Sequence, residues 1–412
     1  MTVRTRSSAI AGVVVLAAAL LAAHAASSGL AASAGAGQAR RSAAIEVTEK
    51  TGNRRTEYPV SARVQLPRGA LADAAHARLR LSDADAPAQY SAESRWDDGS
   101  VRWLDVDFNV SLGPSESRTY QLEYGPDVSP SALPRGLTVT DSADSIQVGN
   151  VKFSKSGSPL ILSASYRGEL IGQGPNGLAI TDSSGARHDL SAAQSLKVEL
   201  VKGGPLSVVV RYSGRMPIDG TYAVPFTLTC EMPNSKSWVK TSAVIEDPAA
   251  RVKDILLETS LAFGEKPWIW DFSTDNGTYG VFRNAADAVL LTQTVDARGT
   301  NHWTVQSGAQ AELRPYESST AARARAAAGW GHIMDAKAAV AFAIERFAAE
   351  AGTYTISLNG QGQAVFRFAP AQRSAERRLT VYEHFVATPV PIGAATSPTA
   401  MINPLVVSVR TP

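Results

Sequence analysis

The clearest two-residue period in the chain runs from Leu104 to Leu112. Leu104, Val106, Phe108, Val110 and Leu112 fall on one face, and Asp105, Asp107, Asn109 and Ser111 fall on the other. That alternation predicts a strand with one buried face and one wet face. It follows Trp96-Asp97-Asp98-Gly99-Ser100, where Asp98-Gly99 marks a tight turn because Gly accepts positive φ without steric cost. Val101 and Trp103 have the opposite parity, which predicts a bulge or a second packing surface beside the turn. Trp96 and Trp103 either pack in a small barrel core or grip a sugar ring.

The same period recurs before and after this strand. Val60, Ala62, Val64 and Leu66 alternate, Leu79 and Leu81 follow a short Ala-rich helical turn, and Tyr120, Leu122 and Tyr124 close the unit. Residues 44–125 therefore read as one small β domain, and the Pro/Ser stretch 126–136 reads as a linker. Beyond it, Ile146 and Val148 face Val151 and Phe153 across Gly149-Asn150. Leu196, Val198 and Leu200 meet Leu206, Val208 and Val210 across Gly203-Gly204, and Val224 to Cys230 precedes Trp238 to Ile245. Further strand signals run to Leu379–Val386, with no helix–strand alternation. The expected fold class is mainly β: a small N-terminal barrel-like domain followed by a large antiparallel β-sandwich over 137–412.

The N-terminus changes the picture of where this chain resides. Arg4 and Arg6 precede an apolar run over residues 9–23, and Ala23-His24-Ala25 fits a small-x-small cleavage site. Residues 1–25 read as a secretory signal peptide and 26–43 as a disordered lead-in, so the protein is expected to be secreted or periplasmic. The apolar run is shorter than the roughly twenty residues of a membrane span, and the mature chain is expected to have no membrane partner. A net charge of +2 over 412 residues, without a basic stripe, argues against a nucleic-acid partner. The single cysteine, Cys230, rules out an intrachain disulfide and shares parity with Val224, Phe226 and Leu228, as a small core residue would.

Leu66-Pro67-Arg68-Gly69, Leu81-Ser82-Asp83, Gln89 and Trp96-Asp97-Asp98-Gly99-Ser100-Val101-Arg102-Trp103 together resemble the N-terminal, RIFT-barrel-type domain of the exo-rhamnogalacturonan lyase-like (YetA-like) proteins. Gly204-Pro205-Leu206 and the run Phe226–Ile245 resemble the mutarotase-like sandwich of carbohydrate enzymes. Ala328-Gly329-Trp330-Gly331, Ala339 to Phe342, Arg346-Phe347 and Tyr382-Glu383-His384 resemble segments of the same lyase-like family. The resemblance implies a carbohydrate-active protein that cleaves an acidic polysaccharide by β-elimination at a uronic acid. Fuller members carry a helical toroid after the β domains, which this chain is expected to lack. That departure keeps a second reading open, a non-catalytic glycan-binding or scaffold protein.

β-Elimination needs a base for the proton α to the carboxylate, a cation that neutralises the carboxylate, and an acid for the leaving oxygen. His384 and Tyr382 share a face of one strand by alternation, and with Arg346 and His332 they are the candidate catalytic groups. Trp268, Trp270 and Trp330, with His302 and Trp303, are the candidate sugar-stacking residues. Each also has a structural reading: a lone His in a sandwich satisfies local hydrogen bonds, and an aromatic stripe is core. No phosphate-cradling loop, dinucleotide fingerprint, zinc motif or nucleophile elbow occurs, and no cofactor or metal is expected. The expected partner is a polysaccharide or oligosaccharide.

Overall fold

The computed structural model describes residues 40–133, 135–165, 169–320, 325–372 and 374–411. The expected signal peptide, residues 1–25, and residues 26–39 of the expected lead-in lie outside them. The protein is mainly β and antiparallel throughout.

Two sheets enclose the first core. One contains, in spatial order, Val406–Arg410, Arg41–Thr48, Ser117–Tyr124, Ala77–Leu81 and Ala84–Ala86; the other contains Arg55–Gln65, Val101–Leu112 and Ala88–Arg95. The Leu104–Leu112 stripe is buried, against Ile45, Val47, Val60, Ala62, Val64 and Leu122. The register shifts opposite Val101–Leu104, so the parity break in the sequence is a bulge. Trp96 and Trp103 are neither of them in the core: Trp96 lies half-buried, with the Arg102 and Arg68 guanidinium groups 4.8 Å and 5.7 Å from its ring. The Ala-rich turn is a single 3-10 turn, Ala74–His76.

Two features depart from the pattern read in the sequence. Asp105 and Asp107, expected to face water, are buried, because Lys202 of the sandwich strand Gln194–Gly203 reaches over them, 3.0 Å from Asp107 Oδ1 and 3.4 Å from Asp105 Oδ2. Arg41, Ser42 and Ala43, expected in the lead-in, begin a strand that pairs with Ser117–Tyr124 on one side. On its other side Val406–Arg410 pairs with it, Ala44 opposite Arg410 and Thr48 opposite Val406. The last strand of the chain thus returns to the first sheet.

The sandwich is built from an eight-stranded and a nine-stranded sheet, with a four-stranded sheet over residues 139–164 beside them. The nine strands run Gln194–Gly203, Ser207–Pro217, Ala223–Pro233, Trp238–Glu246, Glu376–Val386, Ala339–Ile344, Trp330–Met334, Trp268–Phe272 and Thr278–Phe282. The hairpin across Gly149-Asn150 pairs Val148 with Val151 and Ile146 with Phe153, as the alternation predicts, with Gly149 at φ +52°. Cys230 is buried in this core 3.9 Å from Thr241, and burial pushes its thiol up to about 12, so it stays protonated. No helix among the described residues is long and apolar enough to cross a membrane.

Candidate functional site

The nine-stranded sheet has two covered faces. Val239, Val381, Phe385, Phe342 and Ile333 point into the sandwich core. Their neighbours Trp238, Tyr382, Ala341, Ala343 and Trp330 point the other way and pack with the N-terminal unit. Register on that outer face builds two rows. Asp271 lies opposite His332, His332 opposite Ala341, Ala341 opposite His384, and His384 opposite Trp238. In the next row Trp330, Ala343, Tyr382, Lys240 and Glu231 follow one another. Residues brought into register on one face touch across strands.

Trp238 is the hub of this face. Its ring lies edge-on to Tyr58, Tyr382 and His384, each at 6.1 Å between centroids. A cleft of ≈ 560 Å³ opens on one side of it, lined by Arg54, Tyr58, Lys236, His384, Thr396 and Ser397 among others. No carboxylate lines it among the described residues. The His384 ring is held at both nitrogens, Nε2 at 3.0 Å from Ser237 Oγ and Nδ1 at 2.5 Å from Ser397 Oγ. In the neutral ring one nitrogen donates to a hydroxyl and the other accepts from one. Burial, reinforced by Lys236 and His332, lowers the His384 pKa to about 4, so the imidazole is neutral at pH 7. Lys236 donates to Thr56 O at 2.8 Å, and burial lowers its pKa.

The roof of the cleft is the segment that carries the chain back to the first sheet. It contains the short helix Thr396–Ile402. Gly393 N donates to Asp271 Oδ2 at 2.8 Å, Tyr58 Oη to Ala400 O at 2.9 Å, and Arg55 to Asn403 O at 2.8 Å. With the Ser397–His384 bond, these fix the segment against both units.

The chain matches no family model, and no curated protein matches it. Among solved structures its fold is similar to that of a glycosyl hydrolase family 38 protein from Enterococcus faecalis, with TM-score 0.55, 10% identity, and coverage of 90% of this chain and 47% of that one. It is also similar to an alpha-mannosidase from Enterococcus faecalis V583, with TM-score 0.52, 9% identity, and coverage of 90% and 46%. The chain spans about half the length of both. At such identities the likeness is one of fold, and function has to be argued from the site.

Of the residues singled out in the sequence, His384 lines the cleft and Tyr382 lines an adjoining cavity; they share one face, as alternation predicts, and it is the outer face. Tyr382 is buried; burial first, then Glu345, pushes its phenol far above the ordinary range, so it stays protonated. His332 is buried two strands away, its Nδ1–H donating to Asp271 Oδ1 at 2.7 Å, which fixes the tautomer. Trp330 packs beside it at 5.7 Å. Arg346 is not in a strand: Ala339–Ile344 ends two residues earlier, and Arg346 sits exposed on a turn at φ +56°, 3.8 Å from Glu350, in a separate hollow. Trp268, Trp270 and Trp303 belong to the sandwich core, and His302 is an exposed residue beside Thr304. Trp268 Nε1 donates to Gly264 O at 2.9 Å, and Lys266 lies 3.4 Å from its ring centroid.

Trp238, Lys236, Arg54 and Tyr58 were not singled out in the sequence as site residues. Trp238 carried one usable signal, a large aromatic opening a strand directly after the Pro233-Asn234-Ser235 turn. Among the described residues no group of three or more His, Cys, Asp or Glu gathers as metal ligands would.

Proposed function

We propose that this protein is a carbohydrate-active β module that holds an acidic saccharide in the cleft around His384. One observation carries the reading: the cleft joins three cations, Arg54, Arg55 and Lys236, to an indole, a neutral imidazole and several hydroxyls, with no lining carboxylate. A carboxylate ligand meets cations there and no carboxylate in the lining, while a sugar C–H face can lie against Trp238. The fold shared with two proteins named as a glycosyl hydrolase and a mannosidase supports the saccharide part. A paired-carboxylate hydrolysis has no support in this cleft, because it needs two acids flanking the bond.

The resemblance to rhamnogalacturonan lyases favours a second reading, β-elimination. A neutral His384 beside Lys236 and Arg54 supplies the base and the neutralising cations. A pKa of about 4 makes that imidazole a weak base, which is why binding ranks first. Titration of the mature chain with acidic and neutral oligosaccharides tests both readings. Binding of uronate-containing ligands without absorbance of an unsaturated uronate product supports the binding module. Appearance of that absorbance supports the lyase, and binding of neither class defeats both. Export belongs to the same proposal: protein recovered from a secreting host is expected to begin near Ala26, and a retained Met1 would contradict it.

A further inference from the structure

The loop between Arg41–Thr48 and Arg55–Gln65, with the first residues of the second strand, supplies Asn53, Arg54, Arg55 and Thr56 to the cleft wall. It is wound around one carboxylate. Glu49 is 1% exposed, and its side chain accepts from Thr51 N at 2.9 Å, Gly52 N at 2.7 Å, Asn53 N at 3.1 Å and the Thr51 hydroxyl. A fourth backbone donor, Ser115 N at 3.1 Å, comes from the turn between Val101–Leu112 and Ser117–Tyr124. Gly52, at φ +76°, takes the left-handed position that lets successive N–H groups converge on one anion. Burial opposes the charge, but the Thr51 hydroxyl and the backbone donors outweigh it and hold the carboxyl at about 2, so it is ionised at neutral pH.

Glu49 is absent from the cleft lining, but its partner Arg55 is part of it. Arg55 Nη2 lies 3.4 Å from Glu49 Oε1 and donates to Thr51 Oγ1 at 3.1 Å and to Asn403 O, at the end of the roof, at 2.8 Å. Its Nε has no hydrogen-bond partner among the described residues, although Arg55 is only 4% exposed. We infer that Glu49 is the positioning residue of this cleft: it holds the Arg55 guanidinium so that Nε–H is left for the carboxylate of the ligand. The inference rests on the cleft reading above. A buried donor left unmade is costly, and a ligand acceptor recovers that cost. A carboxylate recovers more than a hydroxyl, because the bond is charge-assisted at both ends. Glu49 offsets the charge of Arg55, so this pair supplies direction, while Arg54 and Lys236 supply the net attraction. Without Glu49 the guanidinium is a buried, unpaired cation that turns towards water, and four N–H groups lose their acceptor.

Calorimetric titration of the protein with glucuronate and with its methyl ester tests this, because the two differ only at the carboxylate. The wild type is expected to prefer the acid. Glu49→Gln keeps the shape without the charge and should weaken glucuronate about tenfold, the effect of one charge-assisted hydrogen bond, with the affinity for the ester unchanged. Misfolding alone would lower the number of sites and leave the affinity of the folded fraction as it was. Arg55→Lys keeps the charge but loses the fork, and should show the same loss of preference, so the test survives a Glu49→Gln that does not fold. In the double variant the loss should equal that of Arg55→Lys alone, because Glu49 acts through Arg55. If either folded single variant keeps the wild-type preference, or if the losses add in the double variant, the positioning role is refuted and the cleft reading stands. If the wild type binds neither compound, or does not prefer the acid, the cleft reading itself fails and takes the inference with it.

Discussion

The strand that carries the site also carries a stability prediction. Glu383 lies between Tyr382 and His384 and therefore points the opposite way, into the sandwich beside Thr241, Leu257, Thr259 and Phe366. It is 5% exposed. Burial, opposed only by a Thr259 hydrogen bond, pushes its carboxyl from the ordinary 4.5 up to about 7. Between those values the folded protein holds a proton that the unfolded chain has released. The stability contributed by the protonated group is complete below pH 4.5 and is lost as pH rises to 7. At 1.36 kcal/mol per pKa unit the full loss is about 3 kcal/mol. Glu383→Gln keeps the shape and a hydrogen-bonding end but cannot ionise. Urea unfolding of both proteins at pH 5 and pH 8 should show the variant gaining about 2–3 kcal/mol on the wild type across that interval, because part of the titration lies below pH 5. The difference between proteins is the useful quantity, since His384 has the opposite sign. Its folded pKa of about 4 makes stability rise with pH up to about 6.5 in both. Parallel pH dependences for wild type and Glu383→Gln would refute the claim that a neutral carboxyl sits in this core.

His384→Ala should leave the fold intact and cut uronate affinity at least tenfold, because it removes the bond to Ser397 that fixes the roof; isothermal titration with a thermal melt reads both. Trp238→Ala should cost about 3–5 kcal/mol of stability, a buried indole's typical truncation cost, and denaturant titration will show whether the hub is that well packed. Lys236→Ala should weaken uronate binding and flatten its dependence on salt between roughly 0.05 and 0.5 M, while neutral sugars bind as before; an unchanged salt slope would mean that this ammonium does not face the ligand.

Period two was enough to place the strands whose faces differ in polarity. Leu104–Leu112 and the Val148/Val151 hairpin are where the alternation puts them. It also put Tyr382 and His384 together on one face, which the structure shows to be the outer one. It could not say which face of a doubly covered sheet meets which layer. Trp268 and Trp270 share a face, as expected, but that face is the sandwich interior, and both faces of this sheet are largely apolar. The run Ala339–Phe347 has no Gly or Pro to mark its end, so the turn at Arg346 carries no local signal; Phe347 packing against the core sets it. The rows themselves were invisible. Asp271, His332, Ala341, His384 and Trp238 come from five strands spread over more than a hundred residues, and only the register of four pairings aligns them.

That origin bears on what the fold likeness can transfer. A sheet fixes backbone rows, but the chemistry of a row depends on which side chains occupy it and on what covers them. Here small residues, Ala341 and Ala343, stand between the large ones in both rows, which leaves room beside Trp238 and His384 for the return segment to settle. The cover here is built from named contacts: Ser397 meets His384, Gly393 meets Asp271, and the last strand is locked onto Arg41–Thr48. A hydrolase with the same sheets and a different cover would present a different site. The saccharide proposal therefore stands or falls on Arg54, Lys236, Trp238 and His384, and the shared architecture only explains how residues so far apart in sequence come to line one cleft.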